Sequence, residues 1–373
     1  MLERPRRILY LLLYGSRVGG GEIQYEYLVK GLDRNNFQPI VVCPKVGDLS
    51  QSLIESGIEV HFLRLPRWLQ IQSIPFRWSA AKRLVRLAKK TQVDLVHSEH
   101  RHFPYLKAVS QALSIPTVFH VRSRLHNKHL ANLDLHEATA AIIIGDRYRQ
   151  PLVENGVENY RLHLISDATD VERFSPNPID VLNIETKLNP SAKKEFKIGL
   201  VGRIEPQKRQ LDFLKSIKKV LGTGVTLSCY LIGSIRVSSY FRKLQRYIKQ
   251  NNLQHVVDFT GKRNDMPEIL SSLDVLVTLS GGSVMIESLA CGTPVISASE
   301  IDPARLTIVK DGENGLIVPS NDHAALVSAI LKLTEDPFYL QTLGKNARSH
   351  AKKYFSQTAM VQKTEQVYNK LLA

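Results

Sequence analysis

The sequence has little cysteine, no long hydrophobic run and fewer acidic than basic residues. Its three cysteines, Cys43, Cys229 and Cys291, are odd in number and far apart. This spacing excludes a disulfide framework or a CxxC metal clip and is typical of a reducing compartment. The apolar run at residues 8–14 is too short to span a bilayer and predicts a buried strand rather than a signal peptide. We therefore expect a cytoplasmic protein, at most peripheral on the inner membrane face.

Length and composition are those of a globular chain. The 373 residues are 43% hydrophobic and 23% charged, with scattered glycine and proline, which excludes disordered and fibrous proteins. This length exceeds what one hydrophobic core usually holds, so we expect two domains.

The positive charge is concentrated in one part of the chain. The formal net charge is +15, and residues 60–130 hold 13 lysines and arginines against two acids. Such a region attracts phosphates on nucleic acid, on lipids or on a nucleotide, although a solvated basic face is the alternative. No recognised nucleic-acid motif accompanies the charge, so we expect no nucleic-acid partner.

Strands and helices alternate along both halves of the chain. In the first half strands are predicted at residues 8–14, 39–43, 60–63, 95–97, 117–120, 141–144 and 163–165. Proline and lysine interrupt the pattern near residues 174–194, where we place a linker, and the alternation restarts at residue 196. The sequence thus predicts two doubly wound α/β domains, with an interdomain cleft as the default ligand site.

Three motifs follow predicted strands. Gly19, Gly20 and Gly21 precede the first helix, where backbone amides can approach an anion, although a tight turn needing positive φ is the alternative. Arg203 and Lys208 follow the first strand of the second half. They can grip a pyrophosphate, unless they are merely solvated loop cations.

The third motif is the segment Ser280-Gly281-Gly282-Ser283, followed by Glu287 in a short helix and a Gly-Thr-Pro turn. A glutamate there can accept hydrogen bonds from a ribose diol. Its apolar neighbours make an exposed helix acid the less favoured interpretation.

Taken together, these motifs resemble the glycosyltransferases of family four. The resemblance rests on Gly-Gly-Gly-Glu, Val-Gly-Arg-x4-Lys, Ile-Glu-Ser-Leu-Ala-Cys-Gly-Thr-Pro-Val-Ile and Asp-Gly-Glu-Asn-Gly-Leu-Ile-Val-Pro, in that order. It implies a GT-B architecture. The implied parts are a Rossmann-like acceptor domain (1–180), a Rossmann-like nucleotide-sugar domain (195–355) and a final helix (356–373) returning to the first domain.

The resemblance also implies roles for individual residues. Arg203 and Lys208 match the cations that hold the donor diphosphate, and Glu287 matches the glutamate that binds the nucleotide ribose. Gly19, Gly20 and Gly21 match the loop beside the phosphates and acceptor. His120 matches a histidine near the transferred sugar, with a histidine satisfied at a strand end as its alternative.

Two positions depart from the family pattern. The family often has a glutamate eight positions before the ribose glutamate, where this chain has Leu279, and an Asn-Gly pair where it has Asp167-Ala168. The donor-sugar pocket is therefore atypical. Our hypothesis is that Ser280, Gly281, Gly282 and Ser283 supply hydroxyl and backbone donors instead.

The implied activity is retaining sugar transfer from a nucleotide-diphosphate sugar to a glycan or lipid-linked acceptor, in cell-surface polysaccharide or glycolipid synthesis. We expect no metal and no other cofactor, because Arg203 and Lys208 can stabilise the leaving diphosphate. His97, His100 and His102 could suggest a metal site, but they run from a strand end into a loop with no cysteine nearby, and the resemblance implies no metal. A non-catalytic nucleotide-sugar-binding relative acting as a partner subunit is the alternative that Leu279 suggests.

Residues 66–92 are basic and carry aromatic side chains. Lysines and arginines there alternate with Trp68, Phe76 and Trp78, a composition that suits an anionic membrane surface. The alternative is an ordinary surface helix packed on its sheet.

Overall fold

The computed structural model describes residues 4–122, 125–177, 195–299 and 308–373. The chain forms two compact units. The first runs to Ala168 and includes Gln357–Ala373, and the second is Thr169–Ser356. The final helix therefore belongs with the first unit.

The first unit contains a parallel sheet with the strand order β3-β2-β1-β4-β5-β6-β7. Its strands are short and apolar, as expected where helices cover both faces of a sheet. Their bounds are β1 Arg6–Leu11, β2 Phe37–Cys43, β3 Glu59–Phe62, β4 Leu95–Glu99, β5 Thr117–Val121, β6 Ala140–Ile143 and β7 Leu162–Leu164.

Helices alternate with these strands as the sequence periodicity predicts. They are α1 Gly20–Gly31, α2 Asp48–Glu55, α3 Ile74–Lys90, α4 Phe103–Leu113, α5 Asn127–Asn132, α6 Arg149–Glu154 and α13 Gln357–Leu372. Two apolar cores form, one on each face of the sheet. Helix α13 joins one of them through buried residues that include Met360 and Tyr368.

The second unit repeats the plan with the strand order β10-β9-β8-β11-β12-β13, again parallel. The strands are β8 Phe196–Val201, β9 Leu227–Ile232, β10 Val257–Gly261, β11 Val275–Thr278, β12 Val295–Ser299 and β13 Gly315–Pro319. The helices are α7 Gln210–Leu221, α8 Ser238–Gln250, α9 Met266–Ser272, α10 Val284–Ala290, α11 His323–Glu335 and α12 Pro337–Tyr354.

The boundary between the units differs from the predicted one. Residues 169–177 belong to the second unit, where Phe174 is buried in the core. Arg348 holds this segment, because its Nη1 donates to the carbonyls of Val171 (2.7 Å) and Phe174 (2.8 Å). The rest of the predicted linker, residues 178–194, lies outside the described residues.

Two further findings concern strand ends and membranes. Strand β1 ends at Leu11, so Leu13 and Tyr14 lie in the loop after it rather than in the predicted strand. None of the helices in the described ranges combines the length and the apolar character needed to cross a membrane.

Candidate active site

In the second unit, the predicted donor-binding residues converge at the point where strand order reverses. From β8 the chain builds outward through β9 and β10, then returns to place β11 on the other side of β8. The loops after β8 and β11 therefore leave the sheet side by side. Ligands of doubly wound sheets bind at such a switch point, at the carboxyl ends of the strands. The first loop carries Arg203 and Lys208, and the second carries Ser280–Ser283.

Arg203 and Lys208 are both placed by the turn after β8. Residues 206–208 form one 3-10 turn, and the methylene chain of Lys208 lies along Gly202, where a Cβ would approach Lys208 Cδ to 3.1 Å. The Arg203 guanidinium is 54% exposed, and its Nη2 lies 3.1 Å from Glu205 Oε1. Arg203 is thus anchored by a carboxylate while its charge remains open to a ligand.

Glu205 and Arg236 extend this group and were not predicted. Glu205 is buried, and its Oε2 lies 3.4 Å from Nε of Arg236, a third cation in the loop after β9. One buried carboxylate therefore holds two exposed guanidinium groups at the same edge of the sheet. The sequence feature that could have predicted this pair is an arginine a few residues after each of the neighbouring strands β8 and β9.

Glycines allow the loops after β8 and β9 to touch. Gly233 has φ +146°, and a Cβ there would lie 2.2 Å from the carbonyl oxygen of Gly202. Any side chain would separate the two loops or distort them. This close backbone approach fixes the positions of the cations on both loops.

The loop after β11 has the flexible geometry expected of a ligand loop. Gly281 and Gly282 both have positive φ (+66° and +139°), and Ser280 and Ser283 are exposed. Helix α10 then presents Glu287, which is half-buried. Burial raises the pKa of Glu287, and the nearby charge of Arg173 opposes that shift. An exposed helix acid, the alternative interpretation, does not fit this environment.

Leu279 supplies an apolar side chain where the family often has a carboxylate. Its side chain is 7% exposed and packs in the apolar core of the second unit. At the position where the family often has a glutamate, this chain therefore supplies core packing and no hydrogen-bonding group.

In the first unit, Gly19, Gly20 and Gly21 begin helix α1 rather than forming a tight turn. Gly19 is extended (φ −163°), and none of the three has positive φ, so the turn interpretation is wrong. The amide of Gly19 donates to Glu22 Oε2 (3.0 Å). A Cβ at Gly20 would meet nothing within 4 Å, so the surface in front of it is open.

Glu99 lies beside this helix start and was missed as a candidate. A Cβ at Gly21 would lie 3.5 Å from Glu99 Oε1, and the residue ends the neighbouring strand β4. Burial raises the pKa of Glu99, while Arg122 and Arg101 partly offset that effect. An acidic residue at the end of a buried strand is the sequence feature that could have predicted Glu99 as a candidate.

His120 lies in a buried cluster, and its predicted alternative as a satisfied histidine is wrong. The residue is 1% exposed, and neither ring nitrogen has a hydrogen-bond partner within the described part of the chain. Its ring stacks on His97 at 5.7 Å and 10°. Burial, with the nearby charge of Arg122, lowers the pKa of His120, so the imidazole is neutral. It can donate one hydrogen bond and accept another.

Helix α13 helps to build this cluster. The hydroxyl of Tyr368 is hydrogen-bonded to Nδ1 of His97 and, at 2.9 Å, to the hydroxyl of Tyr10. The three residues are fully buried. The position of His97, on which His120 stacks, therefore depends on a residue close to the end of the chain.

The Asp167-Ala168 pair is held in place by hydrogen bonds with side chains of the first unit. Arg122 Nε donates to Asp167 Oδ1 (3.0 Å), and the Arg122 guanidinium lies 4.7 Å from the centre of the Tyr25 ring. The Gln24 side chain makes two 2.8 Å hydrogen bonds to the backbone N–H and carbonyl of Ala168. These contacts hold the last residues of the first unit against α1.

The other histidines and the basic segment form no metal site within the described residues. In the ranges that the structure covers, no group of three or more His, Cys, Asp or Glu is placed to hold a metal ion. Helix α3 packs its Ala80, Ala81, Leu84 and Ala88 in the core, as the surface-helix alternative requires. The start of α3 and the 3-10 turn before it nevertheless expose large apolar side chains, namely Ile71, Ile74, Phe76 and Trp78.

Family models match both halves of the chain. The "Glycosyltransferase Family 4" model matches residues 18–173, and the "Glycosyl transferases group 1" model matches residues 183–350. The chain belongs to the glycosyltransferases of family four, and it is an enzyme of that class. The predicted family is thereby confirmed.

Among curated proteins, one similar sequence is the UDP-Gal:alpha-D-GlcNAc-diphosphoundecaprenol alpha-1,3-galactosyltransferase of Escherichia coli. It is 24% identical over 95% of this chain and 97% of its own length. The capsular polysaccharide biosynthesis glycosyltransferase CapM of Staphylococcus aureus is 27% identical over 63% of this chain and 62% of its own length.

Solved structures agree with the fold. Anabaena Alr3699/HepE in complex with UDP superposes with a TM-score of 0.81 at 20% identity, covering 98% of this chain and 100% of the other. A glycosyltransferase from Rickettsia africae gives 0.81 at 18% identity, covering 99% of each chain. The predicted fold class, two Rossmann-like domains of the GT-B type, is confirmed.

Proposed function

We propose that this enzyme transfers a sugar, with retention of anomeric configuration, from a nucleoside-diphosphate sugar to a lipid-linked or glycan acceptor in cell-surface polysaccharide or glycolipid synthesis. The observation that carries the proposal is the group of cations at the switch point of the second sheet, where Arg203 and Arg236 share the buried Glu205 and Lys208 lies along Gly202. The half-buried Glu287 lies in the same unit and can accept hydrogen bonds from the ribose of the nucleotide.

The names of the relatives support the same substrate class. The Escherichia coli relative acts on a diphosphoundecaprenol-linked sugar, and the Staphylococcus aureus relative serves capsular polysaccharide biosynthesis. The Anabaena neighbour is in complex with UDP. UDP is therefore the first nucleotide to test.

The proposed reaction follows from the placed charges. The bond between the anomeric carbon and the diphosphate oxygen breaks while the acceptor oxygen bonds to the same face of that carbon. The acceptor proton passes to the departing diphosphate oxygen. Arg203 and Lys208 stabilise the negative charge that develops on the diphosphate, and such preorganised donors are typically worth about 3 kcal/mol each. His120 lies near the transferred sugar in this proposal and acts as a neutral hydrogen-bonding group.

The test is turnover of UDP-sugars with a diphosphate-lipid acceptor, followed by NMR assignment of the product anomer. Arg203→Ala and Lys208→Ala should each lower kcat by about 100-fold, and activity should persist in EDTA because the two cations carry the diphosphate charge. Product of inverted configuration would refute retention. Donor binding without turnover would point instead to the non-catalytic relative.

We also propose that the enzyme works on the cytoplasmic face of a membrane, docked through the start of α3. The exposed Ile74 and Trp78 are four residues apart, so they share one side of the helix. The exposed Ile71 lies in the 3-10 turn directly before it. Exposed cations continue along the helix at Lys82 and Arg86. We call the exposed Ile71, Ile74, Phe76 and Trp78 the apolar tip of α3. An apolar tip beside a basic surface is suited to binding anionic lipid. The buried free cysteines support the cytoplasmic assignment.

Vesicle flotation tests this docking. Removing four charges (Lys82→Gln, Arg83→Gln, Arg86→Gln and Lys89→Gln) should weaken binding to anionic vesicles by about two orders of magnitude or more, at about 1 kcal/mol per charge. A matched control (Lys219→Gln, Arg242→Gln, Arg246→Gln and Lys249→Gln) removes four exposed charges of the second unit and should bind normally. Unchanged flotation of the first variant would end the proposal.

A further inference from the structure

A cavity of about 290 Å³ opens at the carboxyl edge of the first sheet. Its walls come from the loops that follow β1, β3, β4 and β5, so four separate parts of the chain meet there. The strand order reverses between β1 and β4, which makes this edge the switch point of the first sheet. By the same rule that locates the donor residues in the second unit, a ligand is expected here.

The cavity is lined by positive charge. Arg67, Arg101 and Lys128 contribute three cations, and the lining residues within the described ranges include no aspartate or glutamate. Arg67 Nη2 lies 3.2 Å from the hydroxyl of Tyr14, which places that cation against the loop after β1. A concave site with cations from three loops and no acid is complementary to an anion.

Imidazoles lie between these cations. His102, His126 and His129 line the same cavity. Burial lowers the pKa of His129, and the charges of Arg101 and Lys128 lower it further. Burial likewise lowers the pKa of His102, to about 4. The lowered pKa values favour neutral His102 and His129 rings, so the cavity takes its positive charge from the three cations.

One wall is aromatic and continues into the apolar tip of α3. The Trp68 ring lines the cavity and is held by edge contacts with Tyr105 and Trp78, both at 5.2 Å. Leu69 also lines the cavity and is partly exposed beside that tip. The cavity therefore connects a site for a charged group with a surface suited to a hydrocarbon chain.

We propose that this cavity is the acceptor site and that it binds a phosphate or diphosphate group of the acceptor through Arg67, Arg101 and Lys128. The assignment as acceptor site rests on the proposed function, whereas the anion site itself rests on the cavity. The phosphate could belong to a lipid or to a soluble sugar phosphate, which share this chemistry.

The chain provides its own reporter. Its two tryptophans are Trp68 and Trp78, so a Trp78→Phe variant leaves Trp68, in the cavity wall, as the single fluorophore. Inorganic pyrophosphate and decyl diphosphate are titrated into this variant, with decyl glucoside as the uncharged control. The titrations are repeated in an Arg203→Ala/Lys208→Ala background, which removes the donor cations.

We expect saturable changes in Trp68 emission with both diphosphates and none with the glucoside. Arg67→Ala, Arg101→Ala and Lys128→Ala together should weaken binding by at least about tenfold, while the control Lys219→Ala/Lys243→Ala/Lys249→Ala leaves it unchanged. Much tighter binding of decyl diphosphate than of pyrophosphate identifies a lipid-linked acceptor. Equal binding identifies a soluble phosphate.

Two results would overturn the proposal: no saturable response to either diphosphate, or a response that the cavity variants leave intact. Failure of the proposed function looks different. In that case pyrophosphate still binds in the donor-deficient background, but no sugar is transferred to any diphosphate acceptor by the unsubstituted enzyme.

Discussion

Tyr368→Phe tests whether helix α13 is an integral part of the first unit. The substitution removes one hydroxyl that serves two buried partners, the Tyr10 hydroxyl and Nδ1 of His97. The cavity left behind is small, so lost hydrogen bonding dominates the effect. Each buried polar group that loses its partner costs about 1–3 kcal/mol. The free energy of unfolding of the first unit should therefore fall by about 2–6 kcal/mol.

The pairing gives a further expectation. Tyr10→Phe removes one hydrogen-bond partner of the Tyr368 hydroxyl, which keeps His97 as its other partner. It should therefore lower the free energy of unfolding less than Tyr368→Phe does. The double variant has no Tyr10 hydroxyl that could be left buried without a partner. It should therefore be more stable than the sum of the two single effects predicts.

Tryptophan emission during urea unfolding is the assay. Both tryptophans lie in the first unit, so the signal reports that unit even if the second unit unfolds separately. Tyr160→Phe is the matched control, because its exposed hydroxyl bonds Glu158 Oε2 at the surface (2.6 Å), and it should change stability by no more than about 0.5 kcal/mol. A Tyr368→Phe effect as small as the control would refute the reasoning.

Other predictions concern the glycines, Glu287 and the serine loop. Gly233→Ala should abolish donor binding and lower thermal stability, because its Cβ would lie 2.2 Å from a backbone carbonyl. Gly20→Ala should leave thermal stability unchanged, since nothing lies within 4 Å of its Cβ, yet weaken turnover if substrate approaches that helix start. The folded-state pKa of Glu287 is raised above its ordinary 4.5, so the folded state holds a proton that the unfolded state has lost. The ligand-free enzyme should therefore lose stability as the pH rises above about 4.5, and Glu287→Gln should flatten that part of a urea-unfolding pH series. Ser280→Ala with Ser283→Ala should raise the KM for donor several-fold, and unchanged donor binding and turnover would refute their role as hydroxyl donors.

Much of the fold follows from local patterns. Apolar runs of four to seven residues predict most strands to within two residues, because strands covered on both faces need apolar side chains at every position. The end of β1 shows the limit of this argument. The apolar run continues to Tyr14, but Leu13 and Tyr14 line a cavity, and composition alone does not separate a strand from an apolar cavity wall.

The donor residues could be found because each belongs to the segment that follows a predicted strand. Arg203, Lys208 and Glu287 carry local signals that need no knowledge of tertiary contacts. The cluster around His120 carries no such signal, since Tyr368 reaches His97 from the far end of the chain. The cavity cations were visible only as part of the basic region at residues 60–130, because the connections after three different strands bring them together.

We propose that the second unit binds a nucleoside diphosphate through Arg203, Lys208 and Glu287. Isothermal titration with UDP, GDP, ADP and TDP tests it most directly, using the unsubstituted enzyme and the three single alanine variants, with Arg242→Ala as an exposed-charge control. We predict that one nucleotide binds, that each site variant weakens binding by about tenfold or more, and that the control does not. A folded enzyme that binds none of the four, or binds one equally well in every variant, would contradict the account.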